Sequence, residues 1–307
     1  MKNILCTTSS FGKSALYVLG NLKNAGFNPV LNPYERKLSS DELSGLLQKY
    51  QPVGLLAGTE IINSKTLNES DRFLKVISRV GVGWDNVDRK AADKLGIKVF
   101  RTQGVLNNAV AELTLGLILS ALRNISRQDR EIRAGIWNKH MGTLLHEKTV
   151  GIIGFGANGK RVGELCHAFG CRVIYSDLHQ KECAWGKFVS LDELLVQSDI
   201  ITLHADGSTC MLGVREIARC RQEIVLINTA RGGLIDEDAL LSALRSGQVG
   251  YACLDVFDQE PYSGPLTQLE NVIMTSHIGS YAQEARIRME EMAVENMLSG
   301  LLGLGVI

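Results

Sequence analysis

The stretch "TVGIIGFGANGKRVGELCHAFGCRVIYSD" (149–177) constrains the fold more than any other part of the chain. An apolar run (149–153) leads directly into glycines at 154, 156 and 159. An amphipathic helical pattern follows, then a second apolar run closed by Asp177. Gly154 permits a tight turn, Gly156 lets main chain approach a ligand, and Gly159 lets the helix pack on the strand. The helix N-terminus offers free N–H groups and a partial positive charge, which suits a pyrophosphate. A carboxylate at the end of the second strand accepts two ribose hydroxyls and repels a 2′-phosphate. No arginine follows it in "DLHQK". The unit therefore predicts a dinucleotide site that takes NAD in preference to NADP.

The unit begins halfway along 307 residues, so the residues before it need a separate account. They alternate short apolar runs (3–7, 28–32, 53–58, 75–80, 97–100) with amphipathic stretches such as "SALYVLGNLKNAG" and "SDELSGLLQKY". In the latter, Ser40 before Asp41 and Glu42 reads as an N-cap. Strands recur at 148–153, 172–176, 199–203, 223–228, 249–255 and 271–274, and residues 107–135 read as one long helix. A final helix is expected at about 282–299. Such alternation predicts an α/β protein with parallel sheets and helices on both faces.

Lys+Arg and Asp+Glu both number 33, which gives no electrostatic drive toward nucleic acid or anionic membrane. No apolar run approaches the ~18 residues of a membrane span, and the first ten residues are too weakly apolar for a secretory signal. Seven cysteines without a CxxC suit free thiols better than a disulfide frame or a metal site. A cytoplasmic enzyme without a metal is the expectation.

In a parallel sheet the C-terminal strand ends lie along one edge, where ligands bind. Past three of the later strands stand Arg231 ("TARGG"), Glu260 ("QEP") and His277 ("HIGS"). Carbonyl reduction by hydride needs these groups. An imidazolium delivers the proton near neutral pH, a neighbouring carboxylate favours the charged ring, and arginine binds a substrate carboxylate bidentately. Each residue also has a plain structural reading, as an ion-pair partner, a cap acid or a satisfied histidine. His204, after "IITL", competes with His277 for the catalytic role.

The motifs "RVGVGWDNVD" (79–88), "NNAVAELTLGLIL" (107–119), "VGIIGFGANGK" (150–160), "INTARGGLIDEDAL" (227–240), "LDVFDQEP" (254–261) and "SHIGS" (276–280) occur in this order. With them the chain resembles the NAD-dependent D-isomer-specific 2-hydroxyacid dehydrogenases over nearly its whole length. The resemblance implies a Rossmann cofactor domain (101–281) inserted into a flavodoxin-like substrate domain (1–100 plus 282–307), with a hinge at the two crossings. It implies that Arg231, Glu260 and His277 are catalytic and that main-chain N–H groups of Val82 and Gly83, with Arg231 and His277, hold the substrate. Cofactor contacts would come from Gly154, Gly156, Ala157, Asn158, Gly159, Asp177, His204, Thr229, Ala230, Asp255 and Gly279. The helix after Asn107 and the arm containing Trp137 would build a homodimer; Leu113, Leu117 and Leu119 as plain interdomain core is the alternative.

The implied reaction interconverts a D-2-hydroxy acid and its 2-keto acid, with D-3-phosphoglycerate among the candidate substrates. An NAD-binding interaction protein of the same fold and a formate-type dehydrogenase are the alternatives. Three positions depart from the family's pattern. "HADGSTCML" replaces the usual turn after 203, Ser276 stands where proline is usual, and "AGTEIIN" (57–63) lacks the arginine common in the phosphoglycerate branch. Arg36 or Arg79 would have to replace it as a phosphate ligand. No C-terminal regulatory domain is expected.

Overall fold

The computed structural model describes residues 1–207 and 209–306. The chain divides into two compact units, Met1–Leu106 with Tyr281–Ile307, and Asn107–Ser280.

In the first unit, strands β1 (Lys2–Cys6), β2 (Phe27–Leu31), β3 (Gly54–Ala57), β4 (Val76–Arg79) and β5 (Lys98–Arg101) pair in the order β2-β1-β3-β4-β5, all parallel. This is the flavodoxin-like strand order, with its switch point between β1 and β3. Helices α1 (Tyr17–Asn24), α2 (Ser40–Tyr50), α3 (Ser64–Ser70) and α4 (Arg89–Lys94) connect the strands. Helix α2 buries Leu43, Leu46 and Leu47 in a core shared with Leu5, Leu55 and Ile77. Each such leucine contributes about 1.5–3 kcal/mol. Its N-cap is Ser39, not Ser40: the Ser39 hydroxyl accepts from Glu42 N–H while the Glu42 carboxylate accepts from Ser39 N–H. The reciprocal pair favours the serine three residues before the glutamate.

The second unit opens with α5 (Asn107–Leu122) and α6 (Ile125–Arg133), two helices where the sequence predicted one. Asn124 adopts φ 54°, and the axes bend by 64°. Asparagine tolerates this left-handed conformation, and its side chain accepts from Tyr251 Oη at 2.8 Å. Then follow β6 (Thr149–Ile153), α7 (Ala157–Ala168), β7 (Arg172–Ser176), β8 (Gly186–Phe188), α8 (Leu191–Gln197), β9 (Ile200–Leu203), α9 (Val214–Arg219), β10 (Ile224–Asn228), α10 (Glu237–Ser246), β11 (Val249–Leu254) and β12 (Val272–Met274). Their order is β12-β11-β10-β9-β6-β7-β8, all parallel. It is the dinucleotide-fold order with one strand added, reversing between β6 and β9.

Strands β6, β9 and β10 are buried throughout. That explains their unbroken apolar runs in place of alternation. On α5, Leu117 is buried while Leu113 and Leu119 pack partly against the same cluster around Val150, Ile152 and Phe155. These leucines belong to this unit's own core and not to a core between domains, because their partners all lie within 107–280. The chain returns to the first unit as α11 (Gln283–Gly303), which buries Met289, Ala293, Met297 and Leu301. Among the described residues no single helix is long and apolar enough to cross a membrane.

Candidate active site

The glycine turn sits where β6 hands over to α7. Gly154 has φ 87°, a conformation costly for any residue with a Cβ, and a Cβ there would lie 2.5 Å from Ala205 N. A Cβ on Gly159 would collide with the Gly154 carbonyl oxygen, so the helix can approach the turn only with glycine at that position. Between them Phe155 is buried and stacked on Tyr175 with ring centroids 3.8 Å apart, which anchors the turn in the core.

Gly156 is the N-cap of α7 and has no side-chain cap, so the N–H groups of Ala157, Asn158 and Gly159 begin a twelve-residue helix with their donors uncommitted to a capping side chain. Space around Gly156 is open within 4 Å of a would-be Cβ. An uncapped helix end beside a main-chain cradle fits a pyrophosphate. Asp177, at the end of β7, accepts Phe155 N–H at 2.7 Å on Oδ2 and His179 N–H at 3.3 Å on Oδ1. Each oxygen keeps a further acceptor position for a ribose hydroxyl.

His204 follows β9. It is buried, its Nε2 lies 2.9 Å from Thr202 Oγ1, and its Nδ1 has no partner among the described residues. Burial pulls the imidazole from its ordinary 6.5 down to about 3, so the ring is neutral at physiological pH. That removes it as a rival proton donor.

After β10, the Asn228 side chain folds the main chain into a turn: Oδ1 accepts Ala230 N–H at 3.1 Å and Nδ2 donates to Arg231 O at 2.8 Å. Thr229 is buried, with its hydroxyl 2.9 Å from that of Thr114 on α5. Arg231 Nη1 donates to Ala230 O at 2.7 Å.

Of the three acids just past β11, Asp255, Asp258 and Glu260, the first and last have contrasting surroundings. Glu260 accepts Phe257 N–H at 3.2 Å and meets His277 Nδ1 at 2.9 and 3.1 Å. Its side chain is 38% exposed and that of His277 50%. Asp255 is buried, and both its oxygens are taken by the loop after β12. Oδ1 accepts Thr275 Oγ1–H at 2.6 Å and Ile278 N–H at 2.8 Å; Oδ2 accepts Gly279 N–H at 2.9 Å. The clamp brackets His277, which adopts φ 56°, a left-handed conformation that costs a non-glycine residue roughly 1 kcal/mol or more. Nothing in the order of residues marks Asp255 as serving the histidine loop. The only hint was an acid at the end of an apolar strand.

The seven-stranded sheet thus brings Gly154, Gly156, Asp177, His204, Arg231, Asp255, Glu260 and His277 to the C-terminal ends of its strands, with Glu260 and His277 in direct contact. Val82 and Gly83 lie in the first unit, in the loop after β4. Arg36, considered as a phosphate ligand, is engaged by Glu42 through two hydrogen bonds of 2.9 and 2.6 Å; the guanidinium pulls that carboxyl down to about 2. Ser208, in the turn after β9, lies outside the described residues.

Residues 115–279 match the family described as "D-isomer specific 2-hydroxyacid dehydrogenase, NAD binding domain". A glyoxylate reductase of Aeropyrum pernix is 37% identical over 289 residues, covering 87% of this chain and 83% of the relative. The structure of the TT0316 protein from Thermus thermophilus superposes with a TM-score of 0.89 at 35% identity, covering 98% and 97% of the two chains. The structure of D-lactate dehydrogenase from Aquifex aeolicus complexed with NAD and lactic acid superposes with a TM-score of 0.84 at 26% identity, covering 99% and 96%. The uncapped glycine turn, the carboxylate beyond β7 and these likenesses agree: the chain belongs to the D-isomer-specific 2-hydroxyacid dehydrogenases, as an NAD-dependent oxidoreductase of small 2-hydroxy and 2-keto acids.

Proposed function

We propose that the protein reduces a small unphosphorylated 2-keto acid of the glyoxylate or hydroxypyruvate kind, with Arg231, Glu260 and His277 as its catalytic residues. The Glu260–His277 contact, on two adjacent loops at the cofactor edge of the sheet, carries the reading. NADH, when bound, supplies the hydride. Glu260 accepts the Nδ1 proton, which leaves Nε2 as the ring atom that holds and gives the proton to the substrate carbonyl oxygen. In the reverse direction the neutral ring takes the hydroxyl proton at the same atom. Arg231 binds the substrate carboxylate through its planar fork of donors, and the N–H groups of Val82 and Gly83 are the first unit's substrate donors. Asp177 serves the adenosine ribose, and the N–H groups after Gly156 serve the pyrophosphate.

Two observations favour an unphosphorylated substrate. Arg36 is committed to Glu42, and the loop after β3 carries a buried Glu60 where a phosphate would call for a cation. A homodimer fits the exposed apolar side chains of the segment 125–144, where Trp137 is 81% and Met141 96% exposed.

The test is loss of NADH fluorescence with glyoxylate, hydroxypyruvate, pyruvate and phosphohydroxypyruvate. Turnover is expected on the first two and weakest on the phosphorylated acid. Fastest turnover on phosphohydroxypyruvate would refute the substrate reading; no turnover on any, with micromolar NADH binding intact, would favour a non-catalytic NAD-binding protein. His277→Ala is expected to lower kcat roughly a hundred- to ten-thousand-fold at nearly unchanged NADH affinity.

A further inference from the structure

The loop after β4 has an unusual division of its main-chain groups. Its three successive carbonyls are all taken: Val80 O accepts from Arg79 Nη1, Gly81 O from Thr102 N–H at 3.1 Å, and Val82 O from Arg101 Nη1 at 3.3 Å. On the donor side, Val80 N–H goes to Ala57 O at 2.9 Å and Gly81 N–H to Arg79 O at 3.0 Å. The next two N–H groups, of Val82 and Gly83, donate to nothing among the described residues. In a trans peptide the N–H points opposite to the C=O, so the held Gly81 and Val82 carbonyls fix the N–H groups of Val82 and Gly83 in turn, and two consecutive free main-chain donors can bind an anion without a charged side chain.

Two of the three carbonyl caps are arginines, and they are register partners at the ends of β4 and β5, Arg79↔Arg101. Arg101 is also restrained from its other side. Its guanidinium carbon lies 4.2 Å from the centroid of the Trp84 ring, which takes the Arg89 guanidinium as well, at 4.3 Å. Trp84 follows directly on Gly83, so the residue that steadies Arg101 grows out of the loop that Arg101 caps. A cation over an indole is held at a fixed distance by the ring quadrupole, and the planar guanidinium keeps its edge free to donate.

We propose that Arg101, steadied by Trp84, is a positioning residue for the substrate carboxylate. It fixes the Val82 carbonyl and with it the Gly83 N–H of the same peptide plane, beside the Val82 N–H whose own peptide Thr102 holds through the Gly81 carbonyl, and it adds positive charge next to both donors. The inference rests on the proposed reading of the protein as a 2-keto acid reductase. A carboxylate is present in both substrate and transition state, so its holder contributes equally to both. Losing that contribution raises KM and leaves kcat in place.

The experiment compares wild type with Arg101→Met, Arg101→Lys, Trp84→Phe and Trp84→Leu. It measures KM and kcat for glyoxylate or hydroxypyruvate, the inhibition constant of oxamate, NADH affinity by fluorescence, and the thermal midpoint. For Arg101→Met, KM and the oxamate constant are expected to rise together about tenfold, the value of one charge-assisted hydrogen bond. The change in kcat should stay within roughly threefold, and NADH affinity should not move. Arg101→Lys should recover part of the loss through its remaining donor. Trp84→Phe, which keeps a π face, should resemble wild type, and Trp84→Leu should resemble Arg101→Met.

Unchanged KM and oxamate inhibition in Arg101→Met, in an enzyme that turns over normally, would overturn the positioning role and leave the reductase reading standing. A wild type inactive on every 2-keto acid would overturn both. If Arg101→Met lowers the thermal midpoint too far to assay, the Trp84→Phe and Trp84→Leu pair decides. Equal KM values for those two would overturn the proposal.

Discussion

Asp255→Asn separates a cofactor ligand from a loop clamp. In the structure the buried carboxylate accepts three hydrogen bonds, from Thr275 Oγ1, Ile278 N and Gly279 N. The side chain is 1% exposed, so a nearly isosteric amide has no route to solvent. An asparagine can keep one oxygen as acceptor, but its NH₂ must then face a main-chain N–H, donor against donor. Hydrogen bonds to a charged acceptor contribute about 1.5–3 kcal/mol each, and a buried donor left without a partner costs a similar amount. Losing one such contact on the side of Ile278 or Gly279 removes roughly 3 kcal/mol from the conformation that holds His277 at φ 56°. Because each 1.4 kcal/mol is tenfold, the competent loop falls to about one part in a hundred of its former weight relative to alternatives. The expected outcome is a kcat/KM about a hundredfold lower with NADH affinity within threefold of wild type, read by stopped-flow NADH oxidation and fluorescence titration. Loss of NADH affinity in proportion to turnover would show that Asp255 touches the cofactor, as the family resemblance implied, and would refute the clamp.

Three further outcomes follow from the same geometry. Gly159→Ala puts a methyl against the Gly154 carbonyl oxygen and should abolish measurable NADH binding while α7 stays helical by circular dichroism; retained binding would contradict the cradle. Asp177→Ala should narrow the NADH-over-NADPH ratio of kcat/KM by about tenfold or more, since it removes both the ribose acceptor and the charge that repels a 2′-phosphate; an unchanged ratio would remove Asp177 from the cofactor site. His204 stays neutral when folded down to about pH 3, whereas the unfolded chain takes up the proton below 6.5. Protonation therefore favours unfolding, and stability should fall with pH from 6.5 toward 3. Between pH 6.5 and 5 this one group accounts for a loss of about 2 kcal/mol. His204→Gln should flatten that slope in denaturant titrations, and an identical slope would refute the assignment.

The parts of the candidate site legible in the sequence were those that depend on one strand and the few residues past its end. Glycines at 154, 156 and 159, Asp177, Arg231, Glu260 and His277 each follow an apolar run, and a parallel sheet carries all such ends to one edge. The features that escaped depend on contacts between distant segments. Strand β8 is three residues, "GKF", too short to show a period, and exists because it pairs with β7. The break at Asn124 needs a tyrosine 127 residues away to hold the side chain. Asp255 and Glu260 look alike in "LDVFDQEP", and only the folded loops show that one faces main-chain donors and the other an imidazole.

His204 and His277 show why that difference matters for chemistry. Both follow strands of one sheet and both present a ring nitrogen to an oxygen: a threonine hydroxyl for His204, a carboxylate for His277. His204 is buried with its second nitrogen unpartnered among the described residues, and desolvation alone keeps it from taking a proton. His277 stands half exposed, with water on one side and the Glu260 carboxylate on the other. A proton donor of the kind proposed for His277 must be reachable, yet its backbone must not wander, and one carboxylate cannot serve both needs. An acid that holds main-chain N–H groups is best buried among its donors; an acid that pairs with a ring meant to give and take a proton is best left near water. The loops after β11 supply one of each, Asp255 for the backbone and Glu260 for the ring. It follows that Asp255→Asn and Glu260→Gln should be separable by temperature as well as by rate. The first should lower both thermal midpoint and turnover, and the second turnover alone, since an exposed pair contributes only about 0–1 kcal/mol to stability.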